Sequence, residues 1–170
     1  MTEDQRFVEG RPDVLMWQTA PLERDVTIAG NVGARIFGST TGSDADWVVK
    51  LIDVYPDSAE TPRQMRGYQL MVAGDIMRGR YRQGFERAMP VPPNTTVEFH
   101  VDLHQLAYTF QKGHRIMAHV QSTWFPLYDR NPQTFAANIF QANASDYRAQ
   151  THRVSRTESH PSSVEIRVVR

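Results

Sequence analysis

Residues 46–54, DWVVKLIDV, constrain the fold more than any other stretch of this chain. In an extended conformation, where side chains alternate between faces, Trp47, Val49 and Leu51 point one way and Val48, Ile52 and Val54 the other. A strand apolar on both sides must be covered on both sides, which places it in the middle of a layered β-structure. Tyr55-Pro56-Asp57 ends it.

The surrounding pattern supplies the remaining strands. Residues 14–19, 68–73, 106–110, 115–122 and 164–169 are short apolar or alternating runs. In residues 95–103, Val97, Phe99, Val101 and Leu103 face one way and Glu98, His100 and Asp102 the other. Residues 25–30 and 32–39 read as two strands of a hairpin turning at Gly30-Asn31, a pair suited to positive φ. Only residues 133–147 suggest a helical turn. Eight to ten short strands with turn signals between them predict an all-β fold of two antiparallel sheets, a jelly-roll β-sandwich, in one domain over residues 11–170 behind an extension of residues 1–10.

Composition narrows the function classes. Nineteen basic residues balance nineteen acidic ones, so no polyanion such as nucleic acid is expected as partner. There is no cysteine, which removes thiol nucleophiles, disulfides and cysteine-ligated metals. The first ten residues are polar and no run approaches the ~20 apolar residues of a membrane span, so neither signal peptide nor membrane partner is expected. The compartment stays open.

A nucleophile elbow needs glycine two residues before its serine and two after, because the strand-to-helix turn has no room for larger side chains. None of the nine serines has glycine at the first of these positions, and Gly38-Ser39-Thr40-Thr41-Gly42 has the wrong spacing. His100, Asp102 and His104, with His119 on a nearby strand, could converge on zinc, although a solvated sheet face explains them as well. Asp44, Asp46, Asp53 and Asp57 bracket the central strand and offer hard oxygen ligands for calcium, against the plainer reading of turn-forming aspartates. No cofactor is expected. Arg78, Arg80 and Arg82 set three guanidinium groups along one side of an extended segment, suited to bidentate contact with a neighbouring domain or subunit. Trp124, Phe125, Pro126, Leu127 and Tyr128, followed by Asp129 and Arg130, form an aromatic loop that either caps its own core or docks on a partner. Such loops also make sugar platforms, which keeps a carbohydrate-binding jelly-roll module as the alternative. Asn94-Thr95-Thr96 and Asn143-Ala144-Ser145 fit the short glycosylation pattern.

Several segments carry a resemblance. Residues 11–15 (RPDVL), 21–30 (PLERDVTIAG), 44–57 (DADWVVKLIDVYPD), 113–116 (GHRI) and 124–132 (WFPLYDRNP) resemble, in order and spacing, the C-terminal domain of the X-prolyl dipeptidyl peptidase, cocaine esterase and α-amino acid ester hydrolase family. The resemblance covers residues 11–169 and is nearest to the α-amino acid ester hydrolases. It implies a galactose-binding-like jelly roll that packs on an α/β-hydrolase catalytic domain, the natural partner, and helps shape its substrate entrance; homo-oligomers through the jelly roll are a further implied partner. The family's serine, aspartate and histidine lie ahead of this region, so no catalytic residue has a counterpart here. Trp124, Phe125, Leu127, Tyr128, Asp129 and Arg130, with Arg78, Arg80 and Arg82, are the expected contacts.

Overall fold

The computed structural model describes residues 3–58 and 60–169. Met1 and Thr2 of the expected extension, Ala59 of a loop and the final Arg170 lie outside the described residues. The strands are β1 (Val14–Gln18), β2 (Val26–Thr40), β3 (Asp46–Val54), β4 (Gln69–Arg78), β5 (Val97–Phe110), β6 (Arg115–Gln121), β7 (His152–Val154), β8 (Arg156–Thr157), β9 (His160–Pro161) and β10 (Ser163–Glu165). Sheet one runs β1-β6-β3-β4; sheet two runs β10-β2-β5, with β7 beside β10 on the same edge of β2, and β8 and β9 form a small ribbon. All the pairings are antiparallel. This is the expected jelly-roll sandwich.

The core lies between the sheets. Trp47, Val49, Leu51 and Val120 of sheet one meet Ile28, Val32, Ala34, Ile36, Phe99, Val101, Leu103 and Phe110 of sheet two. The alternation read in residues 97–103 and the two-sided burial read in β3 both hold, and all but the last residue of β3 is buried.

Two expected turns are absent. Residues 26–40 form one strand rather than a hairpin, and residues 97–110 form one strand rather than two. Both long strands break register at the same point: Asn31 pairs with Gln105 but Gly33 with Asp102, so Leu103 and His104 together oppose Val32. His104 there has φ 66° and Gly30 φ 112°. The positive-φ residues thus serve a β-bulge that coils the long strand pair instead of reversing the chain. At the C-terminus only Ser163–Glu165 pairs as a strand, with Val168 adding one bridge to Ile28. Residues 133–147 hold two single 3-10 turns, Ile139–Gln141 and Ala144–Asp146. Ahead of β1, Gln5–Val8 forms another 3-10 turn in which Gln5 and Val8 are buried.

Candidate interaction face

Val48, Lys50 and Ile52 occupy the side of sheet one turned away from the core, flanked across β6 by Gln121, His119 and Met117. All six are buried, so this outer face is covered. One cover is the N-terminal segment. Asp4 bridges to Leu70 of β4 and accepts from the Gln69 amide, Arg6 donates to the Arg66 carbonyl at 3.0 Å, and the Gln69 side chain donates to the Glu9 carboxylate. The other cover is Trp124, whose ring lies 3.1 Å from where a Cβ on Gly74 would stand.

Lys50 lies between the two covers. Its ammonium donates to Gln5 Oε1 at 2.7 Å and sits 4.7 Å from the Trp124 ring centre and 5.7 Å from that of Phe7. Burial, and then the charge of Arg11, lower its pKa to about 8. Its neighbour His119 is lowered to about 4, first by burial and then by Lys50, and is neutral at physiological pH. A lysine inside a strand otherwise apolar on both sides was the sequence signal for this site, and the reading of β3 passed over it.

The aromatic loop is held at two points. Trp124 is buried, and Tyr128 donates its amide to the Trp124 carbonyl at 3.1 Å and its hydroxyl to Asp75 Oδ1 at 3.2 Å. Burial and then the Asp75 charge raise the Tyr128 pKa. Between these anchors Phe125 and Leu127 remain 57% and 52% exposed. Asp129 and Arg130 are exposed, the Arg130 guanidinium lying 5.4 Å from the Phe125 ring and 5.6 Å from the Tyr147 ring. Phe7, at 54%, and Met16, at 37%, add apolar surface beside Lys50 and His119 that sequence reading missed.

The three arginines do not form the expected row. Gly79–Tyr81 is a 3-10 turn, not extended chain, and a Cβ on Gly79 would stand 2.6 Å from the Ala45 carbonyl. The turn sends Arg80 inward, 4% exposed, to Asp44 Oδ2 at 2.8 Å and the Ala136 carbonyl, with its guanidinium over the Phe135 ring. Arg82 donates to the carbonyls of Gly79, Met89 and Pro90. Arg78 pairs with Asp46 at 3.2 Å. Arg80 and Arg82 therefore fasten their own loop, Arg80 buried and Arg82 half-buried.

The same pairings occupy the aspartates. Asp44 is held by Arg80, Asp46 by Arg78 and Asn131, and Asp53 by His114 Nδ1 at 2.9 Å and the Tyr108 hydroxyl at 2.7 Å, while Asp57 is exposed. Burial is the main force raising the Asp46 pKa to about 6, with Arg78 opposing it. His119 lies in the other sheet from His100, Asp102 and His104, which corrects the expected grouping. Among the described residues no three histidine or acidic side chains are placed to hold a metal. Among the described residues histidine meets aspartate in three places, His114–Asp53, His104–Asp75 at 2.6 Å and His104–Asp102 at 3.8 Å, and none of these residues has a serine hydroxyl among its hydrogen bonds; Ser159 meets His160 instead.

Comparison with known proteins agrees with this architecture. The family model for the X-Pro dipeptidyl-peptidase C-terminal non-catalytic domain matches residues 6–165. Cocaine esterase of Rhodococcus sp. is 32% identical over 98% of this chain, which spans 27% of that protein. The structure of an aminopeptidase from a marine sediment Thaumarchaeota archaeon superposes with a TM-score of 0.96 at 50% identity, over 99% of this chain and 28% of that one. A selenomethionine-labelled α-amino acid ester hydrolase gives 0.95 at 49% identity, over 99% and 27%. The chain thus corresponds to about a quarter of each of these relatives, and it belongs to the X-Pro dipeptidyl-peptidase C-terminal non-catalytic domain family.

Proposed function

We propose that this chain is the accessory domain of a serine hydrolase that cleaves α-amino acyl esters or amides, or X-prolyl peptides. In this reading it has no triad of its own, packs on an α/β-hydrolase catalytic domain and helps shape the substrate entrance. The observation that carries it is the apolar surface at the outer face of sheet one. Phe7 stands beside buried Lys50 and Met16 beside His119, and the Trp124–Tyr128 loop holds Phe125 and Leu127 out to solvent from two fixed anchors. Exposed aromatic and aliphatic side chains held on a rigid frame are what a docking interface needs at its centre. Three relatives in which the matching region is about a quarter of the chain, an aminopeptidase, an α-amino acid ester hydrolase and an esterase, support the class of parent enzyme. The loop has its tryptophan buried rather than displayed and leaves Phe125 as its one exposed aromatic ring, which favours docking over a sugar-binding module.

The test is titration of the full chain with the α/β-hydrolase portion of the archaeal aminopeptidase, expressed without its matching quarter. The reading expects a stable complex, weakened about tenfold or more by the Phe125→Ser, Leu127→Ser double variant. It also expects concentration-dependent self-association of the isolated chain, relieved by the same variant. The reading is overturned by no complex with the unmodified chain, or by amino-acid ester hydrolysis from the chain alone.

A further inference from the structure

A cleft of about 610 Å³ opens at the β1 edge of the sandwich, reaching from core-facing positions of β1, β3 and β6 to Arg130 of the aromatic loop. Leu15 and Val120, paired across β1 and β6, line it together with Trp47, and all three are at core-facing positions. Leu15 is 41% exposed because β1 ends its sheet. The far wall is the irregular chain from Tyr147 into β7.

The charges around this apolar pocket do not balance. Asp13 is its one acidic lining residue, and Arg11 already holds that carboxylate at 2.9 and 2.5 Å. Arg130 and Arg148 line the same cleft, and among the described residues neither guanidinium has a hydrogen-bond or ion-pair partner. Arg130 meets two aromatic rings instead, with its guanidinium 5.4 Å from the Phe125 ring centre and 5.6 Å from that of Tyr147. An arginine pre-positioned by stacking loses little freedom when it meets an oxyanion, and its fork matches a carboxylate. We infer that this cleft binds an organic carboxylate with an apolar body, the carboxylate at Arg130 and Arg148 and the body against Leu15, above the buried Val120 and Trp47. A free acid and the C-terminal carboxylate of a peptide share this chemistry. The two readings meet at Arg130, which lines the cleft and also stacks on Phe125 of the docking loop, so the test below changes the arginines and leaves Phe125 in place.

The test uses the 170-residue chain and calorimetric or NMR titration with N-acetyl-L-phenylalanine, its C-terminal amide and acetate. The inference expects saturable binding of the acid, with both the amide and acetate weaker by about tenfold or more, because each lacks one half of the recognised ligand. Arg130→Gln with Arg148→Gln should weaken the acid by about tenfold or more, while Arg35→Gln, in sheet two, leaves it unchanged. N-acetyl-Ala-Ala-Phe with a free C-terminus tells the two sources apart: tighter binding than the single amino acid points to peptide ends, equal binding to small acids. No saturation by any of these acids up to about 10 mM, equal binding of acid and amide, or no effect of the arginine changes would overturn it.

Discussion

The outer faces of the two sheets are built on opposite plans. On sheet one, Val48, Lys50, Ile52, His119 and Gln121 lie beneath the Gln5–Val8 turn and Trp124. On sheet two, Arg35, Glu98, His100 and Glu165 meet one another at 3.2 to 3.8 Å in solvent. Both faces contain charge, but only the first buries it. In the proposed reading, the difference separates the side of the sandwich that packs on a partner from the side left to solvent. A face clad in its own chain and edged with apolar side chains is ready to pack, whereas a lattice of exposed ion pairs is already satisfied by water.

The largest break in this contrast should come from removing the cover. Trp124→Ala is expected to destabilise the fold by about 3 kcal/mol, since truncating a buried tryptophan leaves a cavity that the anchored loop cannot close. His100→Ala on the other face, where the side chain is 74% exposed, should stay within about 0.5 kcal/mol. Urea denaturation midpoints at equal m-values measure both.

The second effect depends on pH. Folding lowers the Lys50 pKa from its ordinary 10.5 to about 8, so between these values the unfolded chain binds the extra proton. Stability must therefore rise with pH across that window, and below about pH 8 the charged lysine carries its full penalty, roughly 3 kcal/mol at 1.36 kcal/mol per pKa unit. Lys50→Met should remove this part of the rise. Subtracting its stability curve from that of the unmodified chain between pH 8 and 10.5 cancels tyrosine ionisation common to both. A flat difference would mean that the ammonium between Trp124 and Phe7 is solvated after all.

A matched pair of glycines gives the third comparison. A methyl group at Gly74 would meet Trp124, Met71 and Lys50 at 3.1 to 3.3 Å, while one at Gly33 would meet only the Val101 carbonyl at an ordinary 3.6 Å. Gly74→Ala is expected to cost about 1–2 kcal/mol through overpacking. Gly33→Ala should be neutral or gain up to about 0.5 kcal/mol, because it restricts the unfolded chain without straining the folded one. Thermal midpoints of the two variants should move in opposite directions or by clearly different amounts.

What could be read beforehand follows the same division. The strand covered on both sides and the alternation of residues 97–103 are encoded by neighbours in sequence, and they were legible. The Gly30-Asn31 signal was read as reversing the chain, yet the same preference for positive φ is met by a bulge opposite His104, and only the partner strand decides between them. Arg80 reaches Asp44 across 36 positions, so three arginines that look like one surface row divide between a buried pair, a clamp on carbonyls and a half-buried bridge. The aromatic loop stands out in the sequence by its composition. Its division into buried Trp124 and exposed Phe125 was not legible, because that depends on Gly74 leaving room beneath the indole.

The smallest expected effect is also the one that defines the solvated face. Arg35 stands 3.8 Å from both Glu98 and Glu165 and has its guanidinium 5.9 Å from the Phe37 ring centre. Contacts of that length are ion pairs without hydrogen bonds, and although Arg35 Nε itself is shielded, the side chain as a whole is 40% exposed and water screens its charge. Arg35→Gln should therefore cost no more than about 0.5 kcal/mol, most of it from lost packing of the side-chain stem on Phe37. A double-mutant cycle with Glu98→Gln isolates the charge contribution. Coupling near zero, unaltered by added salt, fits a face that water already satisfies. Coupling above about 1.5 kcal/mol would make Arg35 and Glu98 a structural pair comparable with the buried Arg80–Asp44 bridge, and the two sheets would then no longer differ in kind.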